Sequence, residues 1–180
     1  DGTVSGYTAA DVWTVGVDGD GNYTFSTADG KKLSMGEKYT STPLDDVNTG
    51  WKVTASVTEG CYYIQNAVRG NYLEWYADKG NWSSYSTIGN EALFAQAFYK
   101  VTGETPDPDP SPSPDPSPDP DPDEPEGTRA VLVTDVSGLV IGDEYIIACP
   151  TKNMVMAPSA GNFFGNVEAT FTDDAVYFGD

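Results

Sequence analysis

The chain contains no histidine. That removes the commonest general base, the Ser-His-Asp arrangement and the commonest zinc ligand. Cysteine is nearly as scarce, with only Cys61 and Cys149. Two cysteines define no disulfide framework and form no C-x-x-C zinc pattern. They lie on opposite sides of a proline-rich stretch, and two outcomes stay open: a disulfide if their strands meet, or two buried thiols. Basic residues are few. Nine Lys and Arg face 28 Asp and Glu, a net charge of −19. Binding to phosphates needs basic patches, so this balance argues against nucleic acid and against an anionic membrane surface. No apolar run approaches the ~18 residues of a transmembrane helix, so no membrane insertion is expected. There is no G-x-S-x-G, P-loop or dinucleotide fingerprint. There is also no signal peptide and no initiator Met, so the chain reads as a processed product, a fragment or one repeat of something longer.

What is present is organised around Thr105 to Glu126, TPDPDPSPSPDPSPDPDPDEPE. Proline fixes φ near the polyproline II value and donates no N–H, so this stretch joins neither helix nor sheet. Its carboxylates have no basic residue among them and repel one another, which extends the chain further. Twenty-two residues at the polyproline II rise give a semi-rigid spacer of roughly 70 Å. It divides the chain into residues 1–104, the linker 105–126 and residues 127–180. The last piece is marginal as an independent domain.

Both flanking pieces read as short strands. Trp13–Val15, Tyr23–Phe25, Lys31–Met35, Trp51–Val53, Tyr63–Ile64, Tyr72–Leu73 and Tyr145–Ile147 alternate or carry β-branched and aromatic residues. Turn text such as DGDGN, Asp18 to Asn22, separates them. The spacing repeats. Tyr23, Gly30 and Leu33 are seven and then three residues apart, as are Tyr63, Gly70 and Leu73. Tyr145, Lys152 and Val155 fall at the same offsets without the glycine. Three similar strand–hairpin units predict an all-β fold, a β-trefoil-like closed barrel with an extended polyproline II linker. Closure would remove the edges that short strands expose.

The order of the pieces is unusual. In a trefoil the first and last strands are neighbours, which here predicts Phe98–Val101 beside Val131–Val133. A spacer of roughly 70 Å is far longer than a connection between adjacent strands needs. Wrapped so that Asp180 runs into Asp1, the text predicts a hairpin of Ala175–Phe178 and Val4–Tyr7 around Gly-Asp-Asp-Gly. In that order VLVTDVSGLVIGDEYIIA, VYFGDDGTVSGY, GNYTFSTADGKKLSM and YYIQNAVRGNYLEWY resemble an accessory β-domain of large secreted and surface repeat proteins of anaerobic gut-type bacteria. The resemblance covers nearly all of the chain outside the linker. It implies an extracellular, non-catalytic module and supplies no catalytic residues. Three arrangements stay open: one period of a tandem-repeat polypeptide, exchange between separate subunits, or one chain closed on itself with the spacer looped out. The expected one makes the C-terminal piece the first unit of a β-domain, completed by residues 1–104 of a neighbouring copy.

Several residues are candidates for chemistry. Asp18, Asp20 and Asn22 match the start of a calcium loop, with Asp29 at its twelfth place. Tyr23 replaces the expected glycine, and a hairpin turn is the competing reading. Tyr72, Trp75, Tyr76, Trp82 and Tyr85 crowd one segment beside Asp and Asn. Such rings stack on sugars, or else form core and domain contacts. The carboxylate pairs Asp45-Asp46 and Asp173-Asp174 have the residue types of a glycosidase but sit in turn-like text. Asn22-Tyr23-Thr24 and Asn81-Trp82-Ser83 match the N-glycosylation pattern, and Ser111, Ser113 and Ser117 in the linker suit O-glycosylation.

The expected function is structural: a non-enzymatic subunit or repeat of a secreted bacterial filament, stalk or surface fibre. It would be linked head to tail to copies of itself through stiff acidic spacers, with no cofactor beyond a calcium ion at the Asp18 turn. The alternative is a non-catalytic carbohydrate-binding or cell-surface adhesion module that uses the aromatic segment.

Overall fold

The computed structural model describes residues 2–4, 9–103, 128–158, 166–168 and 175–178. The linker, with Ser111, Ser113 and Ser117, and the pair Asp173-Asp174 lie outside them. Most of the regular structure among the described residues is β-strand. Strands β1 (Gly2–Val4), β2 (Trp13–Val17), β3 (Tyr23–Ser26), β4 (Lys32–Leu33) and β5 (Leu44–Asp45) come first. Strands β6 (Trp51–Ala55), β7 (Tyr62–Asn66), β8 (Tyr72–Tyr76) and β9 (Asn81–Tyr85) follow. A single helical turn, α1 (Glu91–Phe94), precedes β10 (Ala97–Gly103). Beyond the linker come β11 (Thr128–Leu132), β12 (Glu144–Cys149), β13 (Met154–Met156), β14 (Asn166–Glu168) and β15 (Ala175–Phe178).

All of these strands belong to one sheet. Its ladder runs β1-β15-β11-β10-β12-β2-β3-β6-β7-β8-β9, with β13-β14 and β4-β5 attached at β12 and β3. The ladder is an open path, so the fold is all-β but the expected closed barrel is not what the ladder forms. One isolated bridge, Tyr62 to Gln96, brings β7 against the residue preceding β10. Phe98–Val101 and the strand after the linker are neighbours, as expected: Tyr99 faces Leu132, Lys100 faces Val131 and Val101 faces Ala130. The expected hairpin of Ala175–Phe178 with Val4–Tyr7 lies partly outside the described residues. Gly2–Val4 pairs with Val176–Phe178 in parallel, and a tight turn joins only antiparallel strands.

Aromatic and branched residues that alternate along the strands face inward. Trp13, Trp51, Trp82, Tyr145, Phe25 and Phe98 are fully buried. They pack with Leu33, Ile64, Leu73, Ile147 and Met156 in the main core, so both sides of the linker contribute to it. A second cluster, with Tyr99, Ala130, Ile146 and Val155, also mixes the two pieces. Strand β10 lies at the junction, with β11 on one edge and β12 on the other.

The three units correspond, but not in the register that the sequence suggests. Tyr145 faces Trp13, Tyr23 faces Trp51 and Tyr62 faces Gln96. The second unit therefore begins at Tyr62, not Tyr63. Each unit then makes a left-handed turn, at Gly30 (φ 83), Gly70 (φ 73) and Asn153 (φ 55). The third unit lacks the glycine but has Asn153 one place later, and Asn tolerates this conformation better than other side chains. Met156, not Val155, joins Leu33 and Leu73 in the main core, because alternation puts Val155 on the other face.

Candidate functional site

Hairpin β8–β9 pairs Tyr72 with Tyr85, Glu74 with Ser83, Trp75 with Trp82 and Tyr76 with Asn81. Period two then decides the fate of the aromatic segment. Trp75 and Trp82 take the inner face and are 5% and 0% exposed. Their rings meet edge-on, with centroids 5.5 Å apart. Both are core residues, and neither offers a face to a ligand. Tyr72, Glu74 and Tyr76 take the outer face with Tyr85. Tyr72 is half-buried and packs edge-on against Tyr63, with centroids 6.1 Å apart. Tyr76 and Tyr85 are 36% and 56% exposed.

The outer face of this hairpin meets α1 in an open cleft of about 320 Å³, lined by Glu74, Tyr76, Asp78, Tyr85, Leu93 and Phe94 among others. Several contacts hold α1 in place. Asn90 caps it, its Oδ1 accepting from Ala92 N–H at 3.3 Å. Glu91 accepts from the Tyr63 hydroxyl. The carbonyl of Ala92 accepts from Cys149 Sγ at 3.3 Å and from the Thr151 hydroxyl. Phe94 is buried beneath. Thus the end of β12 and the turn after it, from beyond the linker, help to position one wall of the cleft.

Glu74 is the unusual group. It is only 7% exposed. Among the described residues its carboxylate makes no hydrogen bond or ion pair. Ser83 opposite is turned away, its hydroxyl donating to the Thr40 carbonyl at 3.1 Å. Burial raises the Glu74 pKa above its ordinary 4.5. The sequence reading missed Glu74 because a lone glutamate in an aromatic segment looks solvated. Its place at even parity with Tyr72 and Tyr76 was the available signal.

The remaining candidates are dispersed. The Asp18 turn is self-satisfied: Asp18 Oδ1 accepts from Asp20 N–H at 2.9 Å and Asn22 N–H at 2.8 Å, and Oδ2 accepts from Asn22 Nδ2 at 3.0 Å. The Asn22 side chain, then the backbone amides, hold the Asp18 carboxyl below its usual range. Asp29 is engaged elsewhere, by the Thr27 hydroxyl at 2.5 Å and Lys31 at 3.3 Å. Among the described residues no group of three or more His, Cys, Asp or Glu side chains is arranged to hold a metal ion. Asp45 and Asp46 are exposed. No described helix is long and apolar enough to cross a membrane.

Cys61 and Cys149 are both buried free thiols. Strand β10 runs between them: Tyr62 bridges Gln96 on one edge, and Ala148 pairs with Ala97 on the other. Two strand spacings are about 9–10 Å, beyond the ~7 Å that a disulfide spans between Cα atoms. Burial, then the neighbouring Cys149 and Glu91, pushes the Cys61 thiol up to about 11. Burial likewise raises Cys149. Both thiols are therefore inert rather than nucleophilic.

Fold and site together define an all-β chain with one aromatic, acidic surface cleft and no assembled catalytic set among the described residues. Comparison with protein-family models, with curated proteins and with solved structures returns no match.

Proposed function

We propose that this chain is a non-catalytic, secreted structural module that joins to copies of itself head to tail, with the Pro-Asp spacer between them. The observation that carries this reading is the pairing of Gly103 with Arg129. Antiparallel partners lie about 5 Å apart, yet the segment joining these two favours an extension of roughly 70 Å. Formed within one chain, that pairing requires a stiff, like-charged spacer to double back, and short or stiff loops close at a high cost. Formed between copies, the same ladder leaves the spacer extended. A head-to-tail exchange of this kind gives an open fibre unless it closes into a ring. The three matched contacts Tyr145–Trp13, Tyr23–Trp51 and Tyr62–Gln96 support a trefoil-like module.

Replacing residues 105–126 by a short Asn-Gly hairpin tests the reading, since it favours pairing of β10 with β11 within one chain. The native chain should form concentration-dependent assemblies well above 19.2 kDa in light scattering, and the hairpin variant should stay monomeric. A native chain that remains monomeric at every concentration sinks the proposal.

The second reading, a carbohydrate-binding or adhesion module, has one observation in its favour. Tyr76 and Tyr85 present accessible rings beside Glu74 in a single cleft. Under that reading the ligand face consists of these tyrosines and not of the tryptophans.

A further inference from the structure

The three matched corners of the fold are closed differently. At the first, Trp13 is fully buried and its Nε1 donates to the Met156 carbonyl at 3.0 Å. At the second, Trp51 is fully buried and its Nε1 donates to the Leu33 carbonyl at 3.0 Å. Met156 and Leu33 are equivalent positions, so a tryptophan plugs each of these corners in the same way. At the third corner the equivalent residue is Gln96. Its Nε2 donates to the Leu93 carbonyl at 3.0 Å, and its Oε1 is buried without a partner. Here α1 replaces the plug, and Leu93 and Phe94 line the cleft that opens beside it. The departure from the repeat, the open cleft and the lone buried carboxylate of Glu74 coincide.

We infer that this cleft binds an amino sugar, with the ammonium group on Glu74 and the sugar ring against Tyr76 and Tyr85. The inference rests on the second reading above, that the cleft holds carbohydrate, and it specifies the class. A partly desolvated carboxylate that lacks a described partner carries a cost, and a cation is the ligand group that neutralises it. Asp78 on the same lining adds a second negative charge, so phosphate, sulfate and uronate groups are repelled. Hydroxyl groups of a neutral sugar can donate to Glu74 but leave its charge uncompensated in the apolar setting of Leu93 and Phe94. Tyrosine rings attract cations over their faces and stack on the apolar face of a pyranose. The cleft volume, about 320 Å³, suits a small ligand. The polar rim, which includes Thr87 and Asn90, suits hydroxyl groups.

The test is titration calorimetry of the whole chain, in mildly acidic buffer that keeps most of the sugar amines protonated, with three probes. These are a β-1,4-linked glucosamine oligomer, its N-acetylated counterpart and a lysine tetrapeptide. The glucosamine oligomer should bind, with the other two weaker by at least about tenfold, as expected of a charge-assisted contact made only by the amino sugar. Glu74→Gln keeps the shape and should weaken the glucosamine oligomer by about the same factor. Tyr85→Ala, at an exposed position, provides a second variant that leaves the core intact and should also weaken it. Equal affinity for the N-acetylated oligomer overturns the ammonium assignment and leaves the carbohydrate reading standing. Binding of neither oligomer overturns both. Tighter binding of the peptide overturns the inference in favour of a basic protein partner. Full affinity in Glu74→Gln overturns it too, because attraction to an acidic chain at large would then explain the binding.

Discussion

Glu74 shows how much one residue's neighbours decide. Twenty-eight Asp and Glu occur along this sequence, and most of those whose burial is described are exposed. Glu74 sits on a strand that packs against α1, so part of its hydration is lost and no described donor replaces it. The consequence for stability has a definite sign. A carboxyl whose folded-state pKa lies above its unfolded value keeps its proton longer in the native state. Stability is then highest below the ordinary value and falls as pH rises through the raised one. Glu74→Gln removes the ionisation and should raise the melting temperature by about 2–4 °C at neutral pH, the size expected of roughly 1 kcal/mol relieved. The gain should shrink towards zero below the ordinary value of 4.5. Thermal melts across that range check this. A gain independent of pH would place the effect in packing and not in charge. That a costly residue persists in a cleft fits a binding role, since sites commonly trade stability for function.

At the scale of elements, most strands were legible because short alternating runs between turn signals leave little else to form. Three features were not. The shift from Tyr63 to Tyr62 runs against the seven-residue spacing to Gly70, which Tyr63 alone satisfies. Only the bridge to Gln96 reveals it, and that contact is distant in sequence. The face of the β8–β9 hairpin was a matter of parity. Alternation separates Trp75 from Tyr72 and Tyr76, but only the hairpin register and the packing place Trp75 and Trp82 together on the core face. Helix α1, at four residues, is too short to carry an amphipathic period. Asn153 is the most instructive of the turn positions. Its φ of 55 fulfils the role that Gly30 and Gly70 have in the other units. Asn153→Gly should therefore unfold in denaturant at or above the native midpoint. Asn153→Val should lose about 1–2 kcal/mol, the cost of a left-handed conformation for a branched side chain. Equal midpoints for the two variants would remove the claimed equivalence of the three turns.

At the scale of the whole molecule, the linker separates two pieces that share one sheet and both core clusters. Phe98 from the first piece stacks on Phe25 and meets Tyr145 from the second edge-on, with centroids 5.6 Å and 6.4 Å away. The Tyr62 hydroxyl, in the first piece, donates to the Val133 carbonyl in the second at 2.8 Å. Strand β10 without β11 and β12 would expose both of its edges, and β2 would lose the partner that Tyr145 supplies. Neither piece therefore has a complete core. The short second piece is marginal in size as an independent domain. Residues 1–104 and 127–180, made as separate polypeptides, should each give little cooperative unfolding. Mixed in equal amounts, they should regain a single transition whose midpoint rises with concentration, because association is now part of folding. Circular dichroism and light scattering of the mixture read this directly. Recovery means that the β10–β11 ladder forms without a covalent connection, the property that exchange between copies requires. A first piece that melts cooperatively by itself would mean that the second is an appendage, and the basis for head-to-tail assembly through completion of the fold would be gone.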